Sequence, residues 1–362
     1  MKINRLKVSQ FRNISDTEII PDDSVNIIYG ENGEGKTNLL EAMWLFTGCK
    51  SFRGANDASL VRFNQEFARL ELDFYASRRE QQAVMLIDKK RSAKLNEVKL
   101  KSAAGLMGEF YAVIFSPMHL SLIQDGPYDR RRFLDISLCQ MKPAYAKALA
   151  EYNHILHQRN TLLKDIIHHS ELLDTLEIWD QRLGRSASLI TQMRQKYIDA
   201  LRVKACEIYS GISSDKEKLD ISYDIRLPSG LSFDGDYIRL FEQSRREDIK
   251  NGCTQIGPHR DDIIINLDGI SARSFGSQGQ QRSAALSLKL GEAEIIKEHC
   301  SEKPVALLDD VMSELDSGRQ DYILNHLDGW QVFITCCEKA TVQRLCSGKT
   351  FFVKGGAVIK ES

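Results

Sequence analysis

The stretch NIIYGENGEGKTNLLEAMWLF, residues 26–46, decides the fold because it places a glycine-rich turn between two apolar segments. Within it, Gly30, Gly35, Lys36 and Thr37 fit the spacing G-x-x-x-x-G-K-[ST]. The segment before the turn is a short strand-like run, and apolar side chains recur at helical spacing after it. The stretch therefore predicts a phosphate-binding loop between a strand and a helix.

The chemistry of such a loop follows from its backbone. Unpaired N–H groups at a helix N-terminus bind phosphate, and glycines let the chain wrap closely enough to offer them. We expect Lys36 to reach the β- and γ-phosphates and the Thr37 hydroxyl to coordinate Mg²⁺. The nucleotide-binding residues predicted from the loop are Gly30, Glu31, Asn32, Gly33, Glu34, Gly35, Lys36, Thr37 and Asn38.

An acidic pair follows a second apolar run, in VALLDD at residues 305–310. Phosphate-loop proteins hold magnesium with a carboxylate at the end of a buried strand, so we expect Asp309 to be the Mg²⁺ ligand. Asp310 beside it would orient or deprotonate the attacking water. The alternative interpretation is an ordinary strand that ends in two turn-forming aspartates.

Composition limits the class of protein. A chain of 362 residues is long enough for two domains, and 42% hydrophobic with 27% charged residues is typical of a soluble globular protein. The sequence has neither an apolar run of about 18 residues nor the apolar core of a signal peptide, so we expect a cytoplasmic protein with no membrane partner. Eight cysteines without a C-x-x-C pair indicate free thiols, and the histidines lack metal-ligand spacing.

The net charge of −1 means that any nucleic-acid surface must be a local patch. One candidate is DKKRSAKLNEVKLK, residues 88–101, where six Lys or Arg residues accompany one Asp and one Glu. A second candidate is Arg130–Arg132. Either pattern is also typical of an ordinary solvated face.

The spacing of apolar residues changes along the chain. Much of the first hundred residues predicts strands with turns, since INRLKVSQF (3–11) and ARLELDFYA (68–76) alternate apolar and polar positions, as half-buried strands do. From about residue 141 to 210, apolar residues step by three, four or seven, which predicts two long helices in an antiparallel hairpin. The hairpin would be either a short coiled-coil-like arm or the core of a plain helical subdomain. The last third returns to alternating strands and helices.

A turn that opens a helix lies in SFGSQGQQRSAALSLKL, residues 274–290. It resembles the signature motif of the ABC-type ATPases, whose turn binds the γ-phosphate held by the other subunit. Carried over by position, Ser277, Gly279 and Gln280 fall on this signature. SELD at 313–316 resembles the D-loop of the same class. The resemblance implies an α/β fold with an ABC-type P-loop ATPase head.

Further motifs resemble the RecF family in the SMC-like branch of this class. The matching stretches are FRN at 11–13, GENGEGKTNLLEA at 30–42, SFR at 51–53, IFSPMHLSLIQDGPYDRRRFLD at 114–135, IGPHRDD at 256–262, GSQGQQR at 276–282 and LLDDVMSELD at 307–316. The resemblance implies a head that is split in sequence. We assign residues 1–122 and 252–362 to the head, and 123–251 to an inserted, mainly α-helical arm domain.

The same resemblance implies a function. The expected activity is that of a weak, DNA-stimulated ATPase that forms a homodimer when ATP is bound. Its expected partners are double-stranded and gapped DNA, and RecR, which acts with RecO to load RecA during recombinational repair, stalled replication and the SOS response. Lys36, Asp310 and Ser277 would carry hydrolysis. Arg12 and Asn13 lie where the class contacts the nucleotide near its phosphates and ribose.

The sequence departs from the ABC pattern at three points. It has no clear Q-loop glutamine, with Gln124 as the candidate, and Thr335 stands where other members have a histidine switch. The paired cysteines Cys336 and Cys337 have no counterpart in the pattern. In addition, GPHRDD (257–262) has two interpretations: ion pairs that tie the arm to the head, or direct contact with nucleotide or DNA.

Two other functions are alternatives to this one. The ATPase subunit of a transporter would be shorter, would lack the helical insertion and would carry a histidine switch. A structural SMC-like DNA tether needs a long arm. The predicted arm of about 70 helical residues, folded back on itself, would span only about 50 Å at about 1.5 Å per residue.

Overall fold

The computed structural model of the protein describes residues 1–166, 168–337 and 347–361. In chain order, its strands are β1 (Lys2–Phe11), β2 (Ile14–Ile19), β3 (Val25–Tyr29), β4 (Ala68–Ala76), β5 (Arg79–Ile87), β6 (Arg91–Leu95), β7 (Val98–Lys99), β8 (Ala112–Phe115), β9 (Leu219–Asp224), β10 (Asp262–Leu267), β11 (Ile270–Ser271), β12 (Val305–Asp309), β13 (Val332–Cys336), β14 (Lys349–Lys354) and β15 (Ala357–Glu361). Its α-helices are α1 (Lys36–Leu45), α2 (Ser121–Gln124), α3 (Pro127–Met141), α4 (Pro143–Ile166), α5 (Leu176–Ser213), α6 (Tyr237–Asn251), α7 (Ala272–Phe275), α8 (Gln278–Cys300) and α9 (Ser317–His326). None of the helices in these ranges is long and apolar enough to cross a membrane.

Contacts divide the chain into two units. Unit 1 comprises Met1–Leu120, Ile208–Asp215 and Arg282–Ser362, and unit 2 comprises Ser121–Glu207 and Lys216–Gln281. The head and arm assigned from the sequence differ from this division mainly in residues 252–281, which cluster with unit 2. The reason is strand pairing: β10 pairs along its whole length with β9, so the returning chain first completes a sheet of unit 2.

Unit 1 contains two sheets. The first has the strand order β2-β1-β4-β5-β6-β7 and is antiparallel, and alternating burial along β4 confirms the predicted half-buried strands. The second has the order β15-β14-β3-β13-β12-β8. Its central strands are parallel and buried throughout or nearly so, as expected for apolar runs covered on both faces.

The parallel sheet positions the functional site. β3, β13 and β12 are neighbours and run in the same direction, so their carboxyl ends meet at one edge. The glycine-rich turn follows β3, and Asp309 ends β12 at that edge. Thr335 on β13 lies opposite both Ile28 and Asp309 in the strand register.

Unit 2 contains the predicted helical hairpin. α4 and α5 are antiparallel, and the fully buried Arg159 on α4 donates to Asp180 on α5 at 2.8 Å. The same arginine pairs with Asp248 on α6 at 2.8 Å, and Arg245 on α6 donates to Asp180 at 2.7 Å. Because a third helix shares the buried ion pairs, the hairpin is part of a helical subdomain core rather than an isolated coiled coil.

GPHRDD lies in the same buried network of unit 2. His259 Nδ1 is 2.6 Å from the hydroxyl of Tyr152 on α4, and the Asp261 carboxylate accepts from the hydroxyl of Tyr223 on β9 at 2.6 Å. Asp262 pairs with Arg130 on α3 at 2.7 Å. The motif therefore connects α3, α4 and β9, all of which belong to unit 2. This supports a structural role for GPHRDD. These bonds lie within unit 2.

Burial shifts the pKa values of Asp261 and His259 in opposite directions. It raises the pKa of Asp261 to about 6 and lowers the pKa of His259 to about 4. As pH falls from about 6.5 to 4.5, Asp261 takes up its proton earlier in the folded state than in the unfolded state, which adds stability. His259 takes up its proton earlier in the unfolded state, which removes stability. The two contributions offset each other.

We expect single substitutions to separate the two contributions. Between pH 6.5 and 4.5, the free energy of unfolding of His259→Gln should rise by about 2 kcal/mol relative to the wild type, and that of Asp261→Asn should fall by about 2 kcal/mol. Urea unfolding at a series of pH values measures both. The control is His154→Gln at an exposed position of α4. Parallel pH profiles for the wild type and both variants would contradict the assignment.

Candidate nucleotide-binding site

The glycine-rich turn has a backbone that only glycine accommodates well. Gly35 caps α1 with φ +113°, and a Cβ there would lie 2.8 Å from Asn13 Oδ1. A Cβ at Gly30 would lie 2.3 Å from the Val353 carbonyl oxygen. The turn thus presents its backbone and the N-terminus of α1 to the same space, as a phosphate-binding loop requires.

Lys36 is held inside this turn. Its ammonium is almost buried and donates to the carbonyl oxygens of Gly30 at 2.7 Å and Glu31 at 2.9 Å. These bonds fix the positive charge where phosphate oxygens would meet the loop. Glu31 therefore contributes its backbone rather than its carboxylate.

The predicted magnesium ligands are in contact. Thr37 Oγ1 donates to Asp309 Oδ1 at 2.7 Å, and Thr335 Oγ1 donates to the same oxygen at 3.0 Å. Burial raises the pKa of Asp309, so a negative charge here is costly without a cation. A hydroxyl and a carboxylate are the oxygen donors that Mg²⁺ prefers, and the pair fits that ion.

Asp310 is oriented by its neighbours. Its backbone is left-handed, with φ +51°, and its N–H donates to Thr335 Oγ1 at 2.9 Å. Its carboxylate accepts from Ser313 Oγ at 3.0 Å. Thr335, which the sequence showed only as the missing histidine, therefore connects the two aspartates.

Arg12 is fixed by a buried carboxylate. Its Nε and Nη2 atoms both donate to Glu41 on α1 at 2.9 Å, and Ser51 Oγ also donates to Glu41. Arg53 Nη1 lies 3.8 Å from the same carboxylate. Ser51 and Arg53 belong to the SFR stretch, which the sequence marked without giving it a role.

Asn13 connects the turn to α1. Its amide nitrogen donates to the Gly33 carbonyl at 2.9 Å, and its oxygen accepts from Asn38 Nδ2 at 2.8 Å. Arg53 Nη1 donates to Asn38 Oδ1 at 3.0 Å. Asn13 therefore contacts the glycine-rich turn, and Arg12 contacts α1, in each case through bonds to protein atoms.

Several of these residues line an open cleft of about 860 Å³, which is within the usual range of small-molecule and cofactor sites. The residues that line the cleft are Arg12, Asn13, Asn32, Gly33, Gly35, Lys36, Thr37, Asn38, Arg53, Ser59, Val61, Arg62, Phe63, Asp310 and Thr335. Sequence reasoning missed Arg53, Ser59, Val61, Arg62 and Phe63 as cleft residues.

Two further loop residues contact other parts of unit 1. The Glu34 carboxylate and carbonyl accept from the N–H groups of Gly355 and Gly356, so this side chain ties the turn to the β14–β15 hairpin. Cys337 Sγ lies 3.1 Å from Asn32 Oδ1. The seven cysteines of the described residues are free thiols, as expected, and Cys346 lies outside the described residues.

The signature turn lies in unit 2 and forms a capping box. Ser277 Oγ accepts from the Gln280 N–H at 3.3 Å, and Gln280 Oε1 accepts from the Ser277 N–H at 2.7 Å. Gly279 lies between them in the first turn of α8. Gln124, the Q-loop candidate, is also in unit 2 and donates to Gln281 Oε1 at 2.8 Å.

The two basic stretches differ in exposure. Arg130 is buried and paired with Asp262, so Arg130–Arg132 is not an open cationic surface. Within 88–101, Arg91 is largely buried and lies 2.9 Å from Asp57. The five lysines of that stretch are exposed. Two of them, Lys94 and Lys99, are direct cross-strand partners on β6 and β7, where like charges repel unless an anion lies nearby.

Comparison with known proteins identifies close relatives. The model of the RecF/RecN/SMC N terminal domain matches residues 2–354. A DNA replication and repair protein RecF from Acetivibrio thermocellus is 40% identical, with 98% of each chain covered. One of the same name from Agathobacter rectalis is 38% identical, with 99% of each chain covered.

Solved structures give the same result. The recombination mediator protein RecF-ATP in the RecFOR pathway matches with a TM-score of 0.90 at 36% identity, covering 100% of this chain and 97% of the other. An Smc head domain from Pyrococcus furiosus, bound to part of ScpA, matches with a TM-score of 0.54 at 15% identity, covering 100% and 96%. The second match shows the fold alone, and together they confirm the predicted α/β class.

We predict that Glu41 stabilises the site. Glu41→Gln keeps the shape but removes the charge that pairs with Arg12, so the free energy of unfolding should fall by about 3 kcal/mol. Urea unfolding measures this loss. The matched control is Glu66→Gln, at an exposed position of the same unit. A change within about 0.5 kcal/mol for both variants would mean that Glu41 is not the anchor of Arg12.

Proposed function

The chain belongs to the RecF family of DNA replication and repair proteins, and from this premise we propose that it is an ATP-driven switch on DNA. The observation that carries the proposal is the 2.7 Å contact between Thr37 Oγ1 and Asp309 Oδ1, beside the ammonium of Lys36. A phosphate loop and a magnesium carboxylate in contact form the nucleotide half of such a switch.

The proposed roles follow from the positions of the groups. The backbone of residues 30–38 and Lys36 bind the triphosphate of ATP, and Thr37 and Asp309 hold Mg²⁺. When bound, the ion neutralises phosphate charge. Asp310, which lines the cleft, orients the attacking water and accepts its proton. Arg12 and Asn13 act near the phosphates and ribose.

We further propose that two chains share each site. Lys36 and Asp309 come from one chain, and Ser277, Gly279 and Gln280 come from the signature turn of the other. A lone chain leaves the γ-phosphate uncovered on one side. ATP should therefore drive formation of the homodimer, whereas ADP, which lacks the γ-phosphate, should not.

The proposed role of the switch is recombinational repair. The ATP-bound dimer would hold double-stranded DNA next to a gap or a stalled replication fork, with weak ATP hydrolysis stimulated by DNA. RecR, together with RecO, would then help RecA to load on the gapped strand. The support is the recombination mediator protein RecF of the RecFOR pathway, which shares 36–38% identity with this chain.

Gel filtration with ATP, ADP or no nucleotide tests the switch, repeated with short duplexes. The proposal expects a dimer only with ATP, with duplex DNA bound to that dimer, and an ATPase rate that rises when duplex DNA is added. A transporter subunit would show no response to DNA. A monomer under all conditions would contradict the proposed switch.

We predict that Ser277→Arg separates binding from dimer formation. The substitution places a large cation where the γ-phosphate would meet the signature turn. The variant should bind ATP with normal affinity, remain a monomer, and lose ATPase activity by about 100-fold. Ser277→Thr is the control, because its hydroxyl can still accept the Gln280 N–H that caps α8.

Mixing two inactive variants sharpens this test. A heterodimer of Ser277→Arg and Lys36→Ala contains one composite site with both an intact loop and an intact signature. Some ATPase activity should return on mixing, although each variant alone is inactive. Normal dimer formation and hydrolysis by Ser277→Arg alone would exclude the shared site.

We predict that the exposed lysines of 88–101 contact DNA phosphates. Replacing Lys89, Lys94 and Lys99 with Gln should lower duplex affinity and reduce the slope of log K against log salt by about 2 to 3. Arg91 is left intact because it pairs with Asp57. The charge-matched control replaces three exposed lysines of unit 2, namely Lys142, Lys196 and Lys250. Equal slopes for both triple variants would place the DNA surface elsewhere.

A further inference from the structure

The β14–β15 hairpin lies beside the glycine-rich turn, and the roles proposed above give it no part. β14 runs parallel to β3, with Phe352 opposite Tyr29 in the strand register. The rings of these two residues stack, with centroids 5.2 Å apart. Because parallel strands end at the same edge of a sheet, the hairpin turn at Gly355 and Gly356 reaches the edge that carries residues 30–38.

Glu34 connects the two turns. Its carboxylate accepts from the Gly355 N–H, and its carbonyl oxygen accepts from the Gly356 N–H at 2.9 Å. Its neighbours along the chain are Gly33 and Gly35, whose backbones are left-handed, with φ +84° and +113°. Glycine loses more conformational freedom on folding than any other residue, so this part of the chain needs an outside contact to keep one shape. The two bonds of Glu34 supply that contact.

The hairpin is itself held by the first sheet. The Val358 N–H donates to Thr17 Oγ1 on β2 at 3.0 Å. Gly356 is buried against Asn13, and a Cβ at Gly356 would lie only 2.4 Å from the Asn13 carbonyl oxygen. The Asn13 side chain also donates to the Gly33 carbonyl at 2.9 Å. The hairpin is therefore a fixed support for the glycine-rich turn.

We propose that Glu34 is a positioning residue, which holds the glycine-rich turn in its phosphate-binding shape through its bonds to the β14–β15 hairpin. The inference rests on the proposed function, because the phosphates are those of a nucleotide in the cleft. A carboxylate in a phosphate-binding turn repels the ligand, since like charges raise the free energy of the complex. A carboxylate at this position therefore needs a compensating role, and the bond to Gly355 is that role.

Calorimetric titration of the full chain with MgADP tests the proposal, because MgADP carries phosphates for the turn and is not expected to form the homodimer. Glu34→Ala removes the side-chain bond to Gly355, so it should weaken MgADP binding by about 5- to 10-fold. Glu34→Gln keeps an oxygen acceptor and removes the negative charge, so it should bind MgADP at least as tightly as the wild type. If the carboxylate did nothing but repel phosphate, both variants would bind MgADP more tightly, and the proposal would be overturned.

Two glycine substitutions test the support given by the hairpin. Gly356→Ala places a Cβ against the Asn13 carbonyl oxygen, so the hairpin turn must shift and its bonds to Glu34 must change. Gly355→Ala is the matched variant, because its backbone is also left-handed, with φ +58°, but a Cβ there meets nothing within 4 Å. Gly356→Ala should weaken MgADP binding by about 5-fold or more relative to Gly355→Ala. Equal affinities for these two variants would overturn the role of the hairpin.

The outcomes separate this inference from the proposed function. Urea unfolding of Glu34→Ala shows that the variant is folded under the conditions of the titration. If this variant loses stability but binds MgADP within about twofold of the wild type, Glu34 is merely structural. That result would overturn the inference and leave the ATP switch standing. A wild-type chain that binds no MgADP would overturn the proposed function and the positioning role with it.

Discussion

The hydrogen bond between Thr37 and Asp309 is the contact on which the functional site depends, and it joins residues 272 positions apart. It forms because β3 and β12 flank β13 and run parallel to it, so the turn that follows β3 and Asp309 at the end of β12 reach the same edge. Closing the long loop between these strands costs conformational entropy, which burial of the central strands must offset. Thr335 and Asp310 lie at the same edge, where Thr335 bonds to both aspartates.

Two buried carboxylates contact residues that line the cleft. Glu41 accepts from Arg12, and Asp309 accepts from Thr37. Glu41 pairs with the cation of Arg12. Burial raises the pKa of Asp309, so its charged form would be stabilised by a bound cation. The difference explains their separate roles: the first carboxylate holds the protein together, and the second is suited to a metal ion.

Buried ion pairs also hold the helices of unit 2 together. Its helices are joined by arginines that are fully removed from water, such as Arg159 between Asp180 and Asp248. GPHRDD adds His259 and Asp261, whose shifted pKa values come mainly from burial. Shifted pKa values often mark catalytic sites, but here each group is bonded to neighbouring side chains of unit 2, so the shifts belong to a structural network.

The sequence by itself determined the local elements of this protein. Spacing and glycine conformation were enough to predict the loop of residues 30–38, the strand before it and the helix after it, because these depend on nearest neighbours along the chain. The resemblance of its motifs was enough to predict the family. The sequence also predicted the turn that opens α8, and the structure adds the reciprocal bonds between Ser277 and Gln280.

Only the tertiary structure decided which distant side chains share a site and which charges are exposed. Arg130 and Arg91 looked like surface cations in the sequence, yet carboxylates from distant segments pair with them. Val61 and Phe63, which the sequence did not mark, line the cleft beside Arg12 and Asn13. Pairing across the chain depends on strand register and burial, and neither quantity is written in the spacing of neighbouring residues.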